Sequence, residues 1–577
     1  MNLPPQLLLI LLIGIYNIKN ELSMKIFQYL KSKLGVLISQ PFILCCIMAL
    51  TMCLAGQKKV DNMWDFQNYH YYNAFALFND TSNFLVPGGI NTFFNPILDI
   101  PLYLYIQFFN NYPTLIYALQ GIWGGLLFCA IFKITLLFFN RYSVKAISYA
   151  LLTICISLCG RITFTQIGSS TNEVAVAAMD LWGIYFILKM IKYQRLQTWY
   201  KWILCGVFLG IALGLKQNSI TVCIAVGLTL ICMYPYIKGT FKHIALFALG
   251  GVCGYILING WFMYQYWQQY GNPLFPFLNG IFKSPYLDQI NYNDKTCLPE
   301  LSFKTFKYYL WKSTQPKGNC ENFFRDDFRT NIYNTFALVT LVWALLKSRI
   351  RHIYKQYPLH VAVFLLYNFT YFIWFFAFSV LRYMVFIEAI AAIMFVQIFQ
   401  IQAVKNRFLC FVFGAMCCVL CYWRLSYLHI RPYRQVDSYF TMERLNLPDN
   451  TLVKIYGSQS SFIIPELAKN NTKFKSVTYY NNHWNGVGSD CAERGKFRLQ
   501  RDKIESGHKG PVVYFIHDEQ YTHRIQSLVG KRDFFINNLG IDSLEPNMFS
   551  CRNLRYNGVQ HFLICTPNEY RDIIYGI

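Results

Sequence analysis

Residues 358–378 read PLHVAVFLLYNFTYFIWFFAF, a run without a single Asp, Glu, Lys or Arg. An uncharged apolar run of more than about 18 residues matches the helix length that a bilayer core demands. Comparable runs recur from position 35 to about 425, so most of the chain is expected to lie in lipid. Composition agrees: of 577 residues, 55% are hydrophobic, 18% aromatic and only 14% charged. Ordinary soluble domains carry about 25% charged residues. A soluble enzyme, a disordered scaffold and a collagen-like fibre are excluded.

The net charge of +23 invites a nucleic-acid partner. Yet the basic residues fall in small groups between apolar segments, which is the pattern of membrane topology, and no nucleic acid is expected. The fold class is therefore mainly α, a polytopic membrane helix bundle. About eleven spans are expected, near 35–56, 113–139, 144–160, 173–191, 201–215, 219–237, 244–264, 331–347, 358–378, 382–402 and 407–425.

Segment 94–110, FNPILDIPLYLYIQFFN, is apolar but short, and it carries Asp99 and two prolines. Charge decides its place. If it does not cross, the cytoplasmic loops hold Arg141 and Lys145; Lys189, Lys192, Arg195 and Lys201; Lys238 and Lys242; Lys347, Arg349, Arg351 and Lys355; Lys405 and Arg407. The opposite short loops hold only Arg161, Lys216 and Arg382. Counting it as a span would invert every later loop and break the positive-inside rule, so it is placed at the outer interface.

Three long stretches then lie outside: 57–112, 265–330 and the tail from about 430. The domain division is an N-terminal segment 1–34, a membrane domain 35–428 and an extracytoplasmic domain 429–577, in the inner membrane. In the tail, strand-like runs TLVKIYG, SVTYY, VVYFIHD and HFLIC alternate with helix-like runs at Phe462–Ala468 and Tyr521–Leu528, as expected of a small α/β domain. On an oxidising side, Cys297 with Cys320 and Cys551 with Cys565 are expected disulfides, with Cys491 left over. At the start, residues 3–18 make a poor signal peptide, whereas Met24 opens a basic-then-apolar segment. Met24 and Met1 both stand as initiators.

Chemistry is sought among the scarce charges. Asp61 and Asp65 sit four apart directly after the first span, so a helix would put both carboxylates on one face, with Trp64 between them and Tyr69, Tyr71 and Tyr72 following. The plain alternative is an interfacial aromatic belt with solvated acids. Glu173, Lys216, Arg382 and Tyr383 fall at the same outer ends of spans. Ionisable groups at a bilayer boundary cost a few kcal/mol and are functional candidates by default. Each also has a structural account: Lys216 and Arg382 snorkelling, Glu388 pairing with Arg382, Asp180 a buried hydrogen-bonded acid. The loop YGNPLFPFLNGIFKSPYL, with Asn272, Pro273, Phe275, Pro276 and Asn279, is either a rigid turn or a sugar- or prenyl-binding segment. Metalloprotease, serine-hydrolase and phosphate-loop motifs are absent.

This arrangement resembles the integral-membrane glycosyltransferases of the GT-C superfamily, which use polyprenyl-phosphate-linked sugars. The acidic first outer loop, the outer C-terminal domain and the segments DFQNYHYYNAFAL, NTFFNPILDIPLYL, LGLKQNS, YGNPLFPFLNGIFKSP and LRYMVFIEA carry the likeness, which points to a bacterial branch. One departure is that NMW separates the two acids, where several members have them adjacent. The resemblance implies a polyprenyl-phosphate sugar donor, a cell-envelope acceptor and a lipid environment. It implies Asp65, with Asp61 second, as catalytic carboxylate, and His70, Glu173, Lys216, Asn272, Arg382 and Tyr383 as substrate-binding. The cofactor is unknown; a divalent metal is compatible with the chemistry, and no residue pattern calls for one. Two other classes share these features: a transporter or flippase of lipid-linked glycans, with Asp180, Glu388 and Arg382 along its path, and a glycan polymerase or ligase.

A reporter fused after Leu425 is expected to be active only outside the cytoplasm. Activity only in the cytoplasm would invert the whole topology.

Overall fold

The computed structural model describes residues 39–57, 64–193, 198–234, 236–237, 240–292, 297–298, 356–403, 438–457, 460–471, 473–479, 491–516, 549–556 and 559–575. Residues 1–34 with Met24, Asp61, Cys320, the expected spans 331–347 and 407–425 and the run Tyr521–Leu528 lie outside them.

The described chain is mainly helical, with a small sheet built largely from the tail. Its helices are α1 (Gln40–Gly56), α2 (Tyr71–Ala76), α3 (Ile100–Phe109), α4 (Pro113–Leu136), α5 (Val144–Leu158), α6 (Arg161–Gln166), α7 (Glu173–Lys192), α8 (Trp199–Leu215), α9 (Ile220–Cys232), α10 (Thr240–Tyr270), α11 (Pro358–Ala377) and α12 (Val385–Ala403), followed in the tail by α13 (Ile463–Ala468) and α14 (Gly495–Ser506). Four of these, α4, α7, α10 and α11, are long and apolar enough to cross a membrane. Proline opens α1, α3, α4 and α11, where its missing N–H is no loss. At α5 the Ser143 hydroxyl accepts from Ala146 N at 3.3 Å.

Bundle polarity is resolved inside the helices. The hydroxyls of Thr51, Thr135, Thr153 and Thr229 each donate to the carbonyl four residues back, so none asks for water. Around them Phe128, Phe132, Trp202, Tyr367, Tyr371, Trp374 and Phe375 fill one continuous core. Helix α10 differs in facing mostly outward, with Leu257 72% and Trp261 67% exposed, a surface compatible with lipid. It is held to α8 by glycine. A Cβ on Gly210 would stand 2.1 Å from Gly251 O, and one on Gly250 2.1 Å from Ile203 O, so only hydrogen lets the backbones approach this closely.

Helix α3 has 10 residues, about 15 Å of rise, half a bilayer core. Its C-terminal end is tied to the tail: Asn110 Nδ2 donates to Phe440 O at 2.8 Å and Asn110 Oδ1 accepts from Phe440 N at 2.9 Å. The first loop goes further and joins the sheet. Strand β1 (Phe84–Leu85) pairs in parallel with β3 (Lys475–Tyr479), which continues through β2 (Leu452–Tyr456), β4 (Val512–Ile516), β6 (Val559–Pro567) and β5 (Phe549–Tyr556). The last two pairings are antiparallel, and a Cys551–Cys565 disulfide crosses between β5 and β6. Phe66, Tyr71, Tyr72 and Phe75 of the loop share a core with Val453, Ile455, Phe462 and Phe515 of the tail. Burying each such side chain is worth roughly 1.5–3 kcal/mol. The segment after α10 docks on the same assembly: Phe93 meets Phe275 edge-on at 4.8 Å, and Lys496 N donates to Pro285 O at 2.9 Å. All three stretches expected to share a side are thus in contact.

Replacing Gly210 with Val should force α8 and α10 apart at a cost of roughly 1–3 kcal/mol, read as a lowered thermal midpoint in detergent. The control is Gly227→Ala on α9, where a Cβ meets nothing within 4 Å. It should leave the midpoint unchanged or raised.

Candidate functional site

Where the bundle meets the sheet domain, four interruptions of regular helix bring charged residues together. The first follows Trp64. Asp65 caps a π-helical turn, Phe66–His70, in which Tyr71 N bonds back five residues to Phe66 O. Residues five apart in an α-helix point about 140° away from each other. A π turn brings them to one face, and His70 Nε2 lies 4.0 Å from Asp65 Oδ2. The second is the 3-10 turn Ile97–Asp99 before α3, set by Asn95 Oδ1 accepting from Ile97 N at 2.9 Å. It presents Asp99, whose Oδ1 is 2.6 Å from His70 Nδ1 and accepts from Asn172 Nδ2 at 2.6 Å.

The third lies at the α8–α9 junction. Helix α8 ends at Leu215, and Lys216 is extended, so its ammonium turns to Glu173 Oε1 at 2.7 Å. Glu173 opens α7, where the helix dipole favours an anion. The fourth is the 3-10 turn Leu381–Met384 before α12, which holds Arg382. Its backbone is pinned by Gln166 Nε2 donating to Arg382 O at 2.9 Å. Arg382 Nη1 contacts Asp65 Oδ2 at 2.7 Å and Nε approaches Glu173 Oε1 at 3.5 Å, with the guanidinium 5.5 Å from the Tyr383 ring.

The carboxylates are the buried members. The side chains of Asp65 and Glu173 are 1% and 2% exposed, whereas those of Lys216 and Arg382 are each 15% exposed. The acids are therefore the buried side of the cluster and the two cations its partly exposed side. Burial raises the Asp65 carboxyl, but Arg382, then Lys216 and His70, outweigh it, and the Tyr69 hydroxyl adds a hydrogen bond. The carboxyl ends below its ordinary range. Beneath the cluster a small cavity is lined by Glu173, Asp180, Asn218, Ser219, Thr370 and Tyr383. Such a set, with fixed cations over ionised acids, can bind a phosphate or carboxylate and accept a proton beside it. Among the described residues no three His, Cys, Asp or Glu side chains are grouped to hold a metal.

Asp65, His70, Glu173, Lys216, Arg382 and Tyr383 are brought together as the sequence suggests. Asn272 is engaged elsewhere: its Oδ1 accepts from Leu274 N at 2.9 Å and its Nδ2 donates to Phe277 O at 3.0 Å, so it shapes its own turn. Asp180 is a buried acid bonded by Ser219 Oγ at 2.7 Å. Glu388 accepts from Thr163 N at 2.8 Å and Thr163 Oγ1 at 2.6 Å, with Gly160 leaving it room. Asp99 and Asn172 were not among the expected site residues. The scarcity of acids outside the spans was a signal for Asp99, but it counted only against a crossing.

No protein-family model matches this chain, and no curated protein matches it. The GT-C resemblance therefore rests on the residues quoted for it.

Replacing Arg382 with Met leaves Asp65 buried without its closest cation, and stability in detergent should fall by roughly 3–5 kcal/mol. Adding Asp65→Asn should recover part of that loss, read in chemical-denaturation midpoints. The sign with pH follows from the depressed Asp65: its contribution is present above the ordinary carboxylate value of about 4 and is lost as pH falls through the lower folded value.

Proposed function

We propose that the chain is an inner-membrane glycosyltransferase that moves a sugar from a polyprenyl-phosphate donor to a cell-envelope glycan, lipid or protein on the outer face. The observation that carries the reading is the pair of partly exposed cations, Lys216 and Arg382, seated on buried carboxylates at the bundle end nearest the sheet domain.

Topology supports it. Of the eight helices between Phe93 and Tyr270, we count α4, α5, α7, α8, α9 and α10 as crossings, of which α4, α7 and α10 are long and apolar enough by themselves. An even number of crossings returns the chain to the side it left, and the Phe93 and Tyr270 rings do touch, at 5.4 Å. A crossing by α3 would make the number odd. The C-terminal domain shares that side through β1, and the positive-inside pattern makes it the outside.

In the reaction, the acceptor hydroxyl attacks the anomeric carbon while Asp65 accepts its proton. The bond from that carbon to the phosphate oxygen breaks, and its electron pair leaves with the polyprenyl phosphate. Such a leaving group needs charge stabilisation more than a proton, which Lys216 and Arg382 supply. Engagement of Arg382 by phosphate also relaxes its grip on Asp65, which makes the carboxylate a better base at the moment it is used.

A second reading is favoured by one observation. The small cavity beside Glu173 and Tyr383, lined about equally by polar and apolar residues, reaches Asp180 and Ser219, the acid and its partner that a transport path would use.

In purified protein given polyprenyl-phosphate sugar and envelope acceptor extract, Asp65→Asn should lower prenyl phosphate release by roughly 100-fold or more. Asp61→Asn should do less, and Arg382→Lys, which keeps the charge but loses the planar fork, should weaken donor use. Wild-type release from both aspartate variants would move the weight to transport.

A further inference from the structure

Once the product phosphate leaves, Arg382 returns to Asp65 and the carboxylate must give up the proton it has taken. A carboxylate held by a guanidinium at 2.7 Å stays ionised, but it is a poor place to leave a proton. Behind Asp65 lies a group suited to take that proton onward. His70 is 4% exposed, and its two ring nitrogens face two different carboxylates, Asp65 Oδ2 at 4.0 Å from Nε2 and Asp99 Oδ1 at 2.6 Å from Nδ1. Asp99 is itself held by Asn172 at 2.6 Å. With its proton on Nδ1, facing Asp99, a neutral imidazole would keep the Nε2 lone pair on the Asp65 side. The Tyr69 ring, 4.2 Å from the imidazole, limits its rotation.

The local backbone exists to make this meeting. The π turn at Phe66–His70 brings residues 65 and 70 to one face, and such turns cluster at functional sites. The charged and titratable groups around the imidazole are Asp65 and Tyr69 from its own helix, Asp99 from the 3-10 turn, and Arg382, Lys216 and Glu173 beyond Asp65.

We infer that His70, oriented by Asp99, is the proton relay of this site: it takes from Asp65 the proton that Asp65 removes from the acceptor hydroxyl. The inference rests on the glycosyl-transfer reading. In balance, the acceptor O–H bond breaks and its proton reaches Asp65 as the acceptor oxygen bonds to the anomeric carbon. The carbon–phosphate oxygen bond breaks with its electron pair leaving on phosphate. The proton then passes from Asp65 to His70 Nε2, and the imidazolium, flanked by Asp99 and the restored Asp65 carboxylate, discharges it to water as products leave. The 4.0 Å gap must close by about 1 Å, a tightening usual when a substrate engages a catalytic pair.

His70→Gln and Asp99→Asn are compared with the wild type in detergent for prenyl phosphate release across pH, binding of a polyprenyl monophosphate, and thermal midpoint. Wild-type turnover should rise with pH as the relay becomes free to accept a proton. His70→Gln should lose about 100-fold in turnover and lose that rising limb, with monophosphate affinity within about twofold. Asp99→Asn should shift the limb and lose about 10-fold, and Asp99→Glu should restore part of it. A merely structural His70 would instead lower affinity and midpoint and leave the limb in place, which overturns the relay. So does an unchanged turnover and limb in His70→Gln while Asp65→Asn is inactive, an outcome that spares the glycosyl-transfer reading. Failure of the wild type itself to release prenyl phosphate overturns both. If His70→Gln does not fold, the limb in Asp99→Asn decides.

Discussion

The requirement that a buried carboxylate be paired organises this molecule. Asp65 and Glu173 are almost wholly removed from solvent, and an unpaired charge there would cost several kcal/mol. Their partners come from distant parts of the chain: Arg382 from the turn before α12 and Lys216 from the end of α8. Satisfying two acids therefore ties the first loop to three parts of the bundle. Each partner is delivered by backbone that has left the α-helix, since Lys216 is extended and Arg382 sits in a 3-10 turn. Helical continuation at either place would carry the cation away from its acid.

The second constraint is that the first loop has no fold of its own. Its strand of two residues cannot make a sheet, but as the edge beyond β3 it completes one. Its aromatic residues likewise find a core only against the tail. Tyr71 shows the consequence: its hydroxyl donates to Glu466 at 2.8 Å and accepts from Gln107 at 3.1 Å, linking loop, tail and α3. The tail thus acts as a clamp that holds Asp65 and His70 over the bundle. A site carried on one loop would be loose; here the loop is fastened at the sheet on one side and by Arg382 on the other.

Much of the architecture was legible because apolar length and period are local properties. The strands at Leu452–Tyr456, Lys475–Tyr479 and Val512–Ile516 fall where the alternation put them, and the Cys551–Cys565 pair is joined. What escaped is what periodicity does not encode. Helix α14 is strongly polar, with Phe497 as its buried anchor, and gives little apolar rhythm. Strand β5 is FSCRNLRY, whose charged and polar residues hide its pairing with β6. Strand β1 is two residues long, and only its partner identifies it.

For the site, the residue types and their end of the bundle were determined by the sequence alone, because charges are scarce in an apolar chain and their cost there makes each one conspicuous. Segment 94–110 was set at the outer interface by the charge of the later loops rather than by its length. Which acid meets which base was decided only by the tertiary structure. Spacing along the chain carried no sign that Asp65 meets His70, a pairing that the π turn sets. Asp99, which counted only as a charge opposing a span, is the residue that orients that histidine. The physical reason is that pairing energy depends on distances between groups tens to hundreds of residues apart, and those distances are set by helix interruptions whose hydrogen bonds, such as Gln166 to the Arg382 carbonyl, exist only once the bundle has closed.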